Sequence, residues 1–409
     1  MPLSVISLYT GIGGLDFGFE AAGFKTAVAL ELDAIACRTV RLNRRWPLIE
    51  GDIHDVSSET ILKTAGLRPG EADVLIGGPP CQPFSKSSYW VKGDSGRLSD
   101  ERSNTLGAYL RVLRDTRPRA FLLENVPGLA YSKKDEGLRL LLDGIAAVNK
   151  EVGTNYTATV AQLNAADYGV PQTRQRVFII GSRDGTHFEF PSPTHTKGDD
   201  GPLLDSLLEP YRTAWDAIGD LPPEPDERGL KIGGRWRDLI PSIPEGNNYL
   251  WHTPRGGGQP LFGWRTRYWS FLLKLAKDLP SWTIQASPGA SIGPFHWENR
   301  KLSSQELCRL QTFPDGLRFD CGRTQIQKML GNAVPSLLAE VLASEIRAQL
   351  LGSRRRAKTM TLMPPVRTPV PRPERRRPVP KKYLDLVGDH DEHPGTGMGP
   401  AALRRASGQ

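Results

Sequence analysis

The chain has 409 residues, more than one ordinary domain holds, so two domains and a tail are the starting expectation. Its four cysteines (Cys37, Cys81, Cys308 and Cys321) form no Cys-x-x-Cys pair, which argues against a disulfide framework or a zinc cluster. No metal is expected, and a reducing, cytoplasmic setting is. There is no apolar run of about 18 residues, and the first ten residues lack the basic and apolar regions of a signal peptide, so no membrane partner is expected. The formal net charge of +8 is concentrated: residues 354–409 carry 13 Lys/Arg against 5 Asp/Glu, leaving 40 of each in residues 1–353. Any affinity of the neutral body for a polyanion must come from local patches.

Short β-rich runs alternate with helical patterns through the first half, the signature of a mostly parallel sheet wound with helices. Strands are predicted at Ser4–Tyr9, Thr26–Glu31, Leu48–Ile53, Asp73–Gly77, Ala120–Glu124, Tyr156–Leu163 and Val177–Gly181, and helices near 33–44, 104–116 and 135–149. The last two strands have no long helical pattern between them, which predicts an antiparallel pair at one sheet edge. From about 184 the texture changes to Pro, Gly, Trp and Arg. Seven of the nine tryptophans (215, 236, 251, 264, 269, 282 and 297) fall there, so a second domain is read over 184–311 with most of these tryptophans in its core. Helical patterns return at Ser303–Gln311, Gln325–Leu330 and from Val334 to about Leu351. Beyond this, repeated Pro and Arg read as a disordered tail over 352–409.

The first strand runs into Tyr9-Thr10-Gly11-Ile12-Gly13-Gly14 and a helix, an arrangement that lets a cofactor approach backbone closely. Such a turn alone is also ordinary turn chemistry. Glu31, where ribose hydroxyls are gripped in such folds, and Gly51-Asp52-Ile53 after the third strand raise the case for an adenosine. The spacing departs from Gly-x-Gly-x-x-Gly, which favours adenosine without a diphosphate. After the fourth strand, Gly77-Gly78-Pro79-Pro80-Cys81-Gln82-Pro83-Phe84-Ser85 presents one thiol at the carboxyl edge of the sheet. A lone cysteine is ordinarily a small buried apolar residue, but prolines on both sides hold this one in a loop, which suits a reactive group. Glu124 ends the fifth strand at the same edge; behind an apolar strand and beside a nucleophile, it is a candidate carboxyl held protonated enough to donate. In Gln172-Thr173-Arg174-Gln175-Arg176 the period of two puts Arg174 and Arg176 on one face, suited to an anionic or carbonyl-bearing substrate.

These motifs, with RKLSSQELCRLQTFP (300–314) and GNAVP (331–335), stand in the order found in the cytosine-C5 DNA methyltransferases. The chain resembles that family, in its bacterial restriction-modification form, over most of residues 1–350; Tyr9 stands where the family usually has Phe. The resemblance implies a doubly wound α/β sheet of the Rossmann-like methyltransferase kind (1–183, completed by 312–351), with 184–311 as target-recognition domain and hinge. It implies S-adenosylmethionine as cofactor, with Tyr9, Glu31, Asp52 and Ile53 at the adenosine, Gly11, Gly13 and Gly14 in the close approach, Pro80 beside it and Asn332 at the methionine end. Double-stranded DNA is the implied partner, with cognate restriction or defence proteins as further candidates.

By the same resemblance Cys81 adds to C6 of cytosine, Glu124 bonds N3 and the exocyclic amine, Arg176 holds O2, and Arg174 supports the catalytic loop or the backbone nearby. Since C6 is inaccessible in a stacked duplex, the base is flipped out. The polar loop 82–103, with Ser85, Lys86 and Arg97, reads as a lid over DNA. Arg255, Arg265 and Arg267, set among glycines and aromatics, read as groove and phosphate contacts. Three rivals are weighed. A branch that methylates transfer RNA shares the chemistry, but the long Arg- and Gly-rich recognition region favours duplex DNA. An inactive DNA-binding module is opposed by the intact Cys81, Glu124 and Arg176, and a zinc deaminase by the lack of His-x-Glu together with Pro-Cys-x-x-Cys.

Overall fold

The computed structural model describes residues 2–80, 104–129, 136–198, 208–223, 225–264, 268–352 and 360–389. Cys81, Ser85, Lys86, Arg97 and the rest of the expected lid lie outside the described residues, as do Arg265 and Arg267. The first half contains β1 (Leu3–Leu8), α1 (Gly14–Ala21), β2 (Phe24–Glu31), α2 (Ala34–Asn43), β3 (Leu48–Glu50), α3 (Ser58–Ala65), β4 (Val74–Gly77), α4 (Asn104–Thr116), β5 (Ala120–Asn125), α5 (Glu136–Val152), β6 (Thr159–Asn164), β7 (Gln172–Thr173) and β8 (Gln175–Ser182). Seven of these strands form one sheet in the order β3-β2-β1-β4-β5-β8-β6. β1 to β5 pair in parallel, whereas β8 runs antiparallel to both β5 and β6. That is the edge the missing helical pattern predicts.

The chain continues through β9 (His195–Thr196), β10 (Glu209–Pro210), α6 (Ala214–Ile218), β11 (Ser281–Trp282), α7 (Ser304–Leu310), α8 (Arg323–Asn332) and α9 (Ser336–Gln349). Alternate strand residues feed two cores, because successive side chains of a strand point to opposite faces. Val5, Val74, Ile76, Leu122 and Phe178 pack with α1 and α9, while Ile6, Leu75, Phe121, Leu123 and Ile179 pack with α3, α4 and α5. Covering on both faces accounts for fully apolar strands such as Val74–Gly77, all of it buried. Residues 230–295 build a smaller core around Leu239, Ile243, Tyr249 and Leu272. The expectation that most of these tryptophans are core holds for Trp297, which is buried, and for Trp215, Trp236 and Trp251, which pack against the cores, whereas Trp269 and Trp282 are 48% and 47% exposed. The small core is closed by aromatic edges such as Trp236 on Phe262, ring centroids 4.9 Å apart.

Residues 360–389 form a strap docked on this body, which corrects the expectation of a disordered tail for this stretch; the rest of the expected tail, 353–359 and 390–409, lies outside the described residues. Thr361 and Leu362 donate their backbone N–H groups to the Glu340 carboxylate on α9 at 2.6 and 2.9 Å. Arg367 donates its backbone N–H to Asp216 at 2.7 Å. Glu374 pairs at 3.1 Å with Lys277, whose buried ammonium also meets Glu245 at 2.6 Å. Tyr383, 2% exposed, stacks on Trp236 at 5.6 Å and donates to the Arg235 carbonyl. Composition measures whether a segment can build its own core; here the body supplies the partners. Seven prolines between 364 and 380 limit the entropy lost when the strap docks.

Candidate functional site

Parallel strands with helical crossovers bring the ends of β1, β2, β4 and β5 to one edge of the sheet. At the end of β1, Tyr9 (φ 53°) and Gly11 (φ 57°) take left-handed conformations. The Gly11 N–H donates to Glu31 at 2.7 Å, and the other Glu31 oxygen accepts from the Asp33 N–H at 2.7 Å. One carboxylate at the end of β2 thus fixes the turn after β1. A Cβ on Gly11 would meet nothing within 4 Å, so this glycine faces open space. Beside it, the Tyr9 hydroxyl donates to the Thr105 carbonyl at 2.8 Å, and burial and nearby Asp52 push the phenol pKa upward. Asp52 accepts from the His54 N–H, and Ile53 is buried with its carbonyl taken by Arg111.

The next two glycines answer to different constraints from those expected. A Cβ on Gly13 (φ 88°) would lie 2.8 Å from the Trp46 ring, and one on Gly14 would lie 2.4 Å from the Val334 carbonyl. Their lack of a side chain is demanded by the packing of α1 on Trp46 and on the segment leading into α9. Gly11 alone of the three is free of such contacts.

The turn after β4 is tied from two sides. The Asn125 amide donates to the Pro79 carbonyl and the Thr105 hydroxyl to the Pro80 carbonyl, both at 3.4 Å. Pro80 itself is exposed. Against this turn stands Glu124 at the end of β5, its carboxylate 2.9 Å from where a Cβ on Gly78 would be. Arg176 on β8, the antiparallel neighbour of β5, pairs with Glu124 at 3.0 Å, with side-chain exposures of 15% and 11%. Burial raises the Glu124 pKa and lowers that of Arg176, while their mutual attraction opposes both shifts. The pair forms a nearly dry acid–guanidinium unit next to the turn that leads into Cys81.

Arg174 does not share that placement, and the expected pair of arginines on one face gives way to two different roles. It falls between β7 and β8, is 1% exposed, and donates to the Gly331 carbonyl at 2.7 Å and the Ile284 carbonyl at 3.3 Å. It therefore braces the segment after β11 against α8. Gln172 ties the same segment to the end of α7 from β7, accepting from the Ile284 N–H and donating to the Leu310 carbonyl. Sequence reasoning assigns no role to Gln172, Asn125 and Thr105; Gln172 stands within the motif that supplies Arg174 and Arg176, Asn125 follows Glu124, and Thr105 lies at the start of α4. Asn332, the last residue of α8, is exposed, and the Arg255 guanidinium lies 3.7 Å above the Trp264 ring. Among the described cysteines, burial pushes the Cys37 thiol up to about 12, with Glu31 adding to it, and raises Cys308 and Cys321 as well.

Among the described residues, no helix is long and apolar enough to cross a membrane. The type II methyltransferase M.SacI of Streptomyces achromogenes is 39% identical over 371 residues, covering 85% of this chain and 93% of that relative. M.NgoFVII of Neisseria gonorrhoeae, also a type II methyltransferase, is 33% identical over 351 residues, covering 84% and 86%. A crystal structure assigned as a DNA modification methyltransferase encoded within an E. coli prophage superposes with a TM-score of 0.60 at 25% identity, covering 86% of this chain and all of that one. The family described as C-5 cytosine-specific DNA methylase matches residues 3–348, and the chain belongs to it, as a DNA cytosine-5-methyltransferase.

Proposed function

We propose that the chain methylates C5 of one cytosine within a specific duplex sequence, through a transient bond between Cys81 and C6 of a flipped-out base, as the modification arm of a restriction-modification system. The observation that carries the reading is the Glu124–Arg176 pair at 3.0 Å beside the turn that delivers Cys81. Cytosine C5 is a poor nucleophile until something adds at C6. As the Cys81 sulfur bonds C6, ring electrons shift toward C5 and N3 gains proton affinity. Glu124, its carboxyl raised by burial, donates to N3 and accepts from the exocyclic amine, while Arg176 holds O2; both stabilise charge that develops only as sulfur adds. A free thiol titrates near about 8.5, so a small thiolate fraction is present at neutral pH for Cys81 to draw on. The described cysteines, all shifted upward by burial, offer no competing nucleophile. After methyl transfer, loss of the C5 proton and cleavage of the C6–S bond restore the aromatic ring and the free thiol.

The family's methyl donor is S-adenosylmethionine, which supplies the methyl group when bound. The residues present fit it: open space at Gly11, the Tyr9 ring, the Glu31 and Asp52 carboxylates, Ile53, the exposed Pro80 and Asn332 would hold it. Double-stranded DNA would be held by Arg255, Arg265 and Arg267 from the smaller domain and by Ser85, Lys86 and Arg97 from the loop after Cys81. Base flipping is required because the duplex stack hides C6. The deciding experiment presents plasmid DNA and transfer RNA side by side with a labelled donor, followed by bisulfite sequencing. The expected product is 5-methylcytosine at one position of one DNA sequence. Label in transfer RNA alone would overturn the substrate, and label at several unrelated DNA sequences would overturn the specificity.

A further inference from the structure

We propose that the strap carries a second DNA-contact surface, in which Arg375, Arg376 and Arg377 grip backbone phosphates of the duplex. This rests on duplex DNA being the substrate. The strap lies beyond residues 3–348, the span matched by the family, so the surface is an addition to the common enzyme. The three arginines are consecutive and exposed, and no carboxylate among the described residues pairs with them. They are held in place on both sides. Glu374, just before them, is anchored by Lys277 and by its own N–H to Glu245 at 2.7 Å; Tyr383, six residues beyond Arg377, is anchored on Trp236. Within the run, the Arg377 N–H donates to the Pro241 carbonyl at 2.9 Å and the Arg376 guanidinium lies 4.9 Å from the Trp251 ring.

Three consecutive exposed arginines on an anchored backbone, with no described carboxylate paired to them, leave their guanidinium groups available to an external anion. Guanidinium forks match phosphate oxygens, and a fixed backbone spares the entropy that a free tail would lose on binding. The partner's position is given by the neighbours. Across an open groove from the arginines stand Trp251, Gly257, Gly258 and Gln259, the glycine turn that also carries Arg255. The surface is thus continuous with the turn assigned to the duplex above. Since residues 1–353 are electrically neutral, seven Lys/Arg against three Asp/Glu in the strap make it a principal docked source of positive potential.

The test uses the full chain and a methylatable duplex, with affinity measured over a salt series. Arg375→Ala/Arg376→Ala/Arg377→Ala should lower the slope of log affinity against log salt by about 2 to 3, close to 0.9 for each phosphate no longer neutralised, with the methylated sequence unchanged. Lys25→Ala/Lys63→Ala/Lys150→Ala removes the same charge from exposed sites of the catalytic sheet layer and should move the slope by less than about 1. Equal effects of the two triples would overturn the proposal, because net charge alone would then explain both. Replacing the three arginines by lysine should retain most of the slope; if it falls as in the alanine variant, strap docking rather than phosphate binding is at issue and the proposal fails. A wild-type chain that leaves duplex DNA unmethylated overturns the parent reading, whereas one that methylates it with a slope indifferent to the alanine triple overturns the strap surface alone.

Discussion

Replacing Gly18 by alanine sets two effects against each other in a way the structure can rank. In the middle of α1, alanine favours the helix over glycine by about 1 kcal/mol. Against this, the new methyl would lie 2.4 Å from the Ser336 carbonyl, 2.4 Å from the Ala339 Cβ and 2.5 Å from the Glu340 nitrogen, where ordinary contact begins at 3.4 Å. Two of these obstacles are backbone of α9, so no side chain can swing away. Leu337, Leu338, Ala339 and Leu342 are fully buried, so α9 cannot lift by an ångström without opening its own contacts. Overpacking of this kind costs about 1–3 kcal/mol, which against the helix gain leaves a loss of about 0–2 kcal/mol; because backbone must move here, the expectation is a loss at or above the upper end, about 2 kcal/mol. Chemical denaturation of both proteins measures it. Because α1 follows the Gly11 turn and α9 follows Asn332, S-adenosylmethionine affinity by calorimetry should fall as well. A variant as stable as the wild type, or more stable, would refute the reasoning, since helix propensity would then have won.

Gly78→Ala should leave the denaturation midpoint nearly unchanged but lower kcat, because its methyl would stand 2.9 Å from the Glu124 carboxylate and turn that group away from the base; unchanged turnover would place Glu124 elsewhere in the reaction. Glu124→Gln keeps the shape and loses the carboxyl, with an expected fall in kcat of about 10²–10³ measured by labelled methyl transfer, and a fall below about tenfold would count against it. Asp16 is buried, accepts from Ser7 and Thr26, and burial raises its pKa from 3.8 to about 6. The native state therefore favours its neutral form, so its contribution to stability is present below about pH 4 and is lost as pH rises through about 6. Relative to Asp16→Asn, the wild type should lose about 3 kcal/mol between these limits, read from denaturation midpoints, and a difference independent of pH would contradict the burial argument.

The sheet was legible because apolar runs separated by turn residues leave few ways to pair them, and the edge reversal at β8 followed from a helix that was not there. α3 escaped notice: at eight residues it is short, and its signals are local, Ser57 capping its start and Gly66 at φ 67° ending it. Glu124 and Arg176 were found by position, but their pairing depends on β8 lying beside β5, which no local pattern states. Arg174 does not share the face of Arg176 because the period of two applies only while the strand continues, and the strand is interrupted there. Gly13 and Gly14 look like cofactor glycines in sequence because a residue's freedom and its crowding leave the same letter. The strap was missed for a thermodynamic reason: a segment too polar to fold alone can still dock where the body offers Glu340, Asp216, Lys277 and Trp236.

The central claim is a bond between Cys81 and C6 of the target cytosine, and duplex DNA carrying 5-fluorocytosine at the methylated position tests it most directly. Fluorine at C5 cannot leave as a proton does, so after methyl transfer the C6–S bond has no route to break. With S-adenosylmethionine present, the account predicts a protein–DNA complex that survives denaturation, with the adduct on the peptide containing Cys81, and no such complex with Cys81→Ser. A wild-type enzyme that methylates ordinary duplex but forms no denaturation-resistant complex, or a Cys81→Ser variant that still forms one, would contradict it.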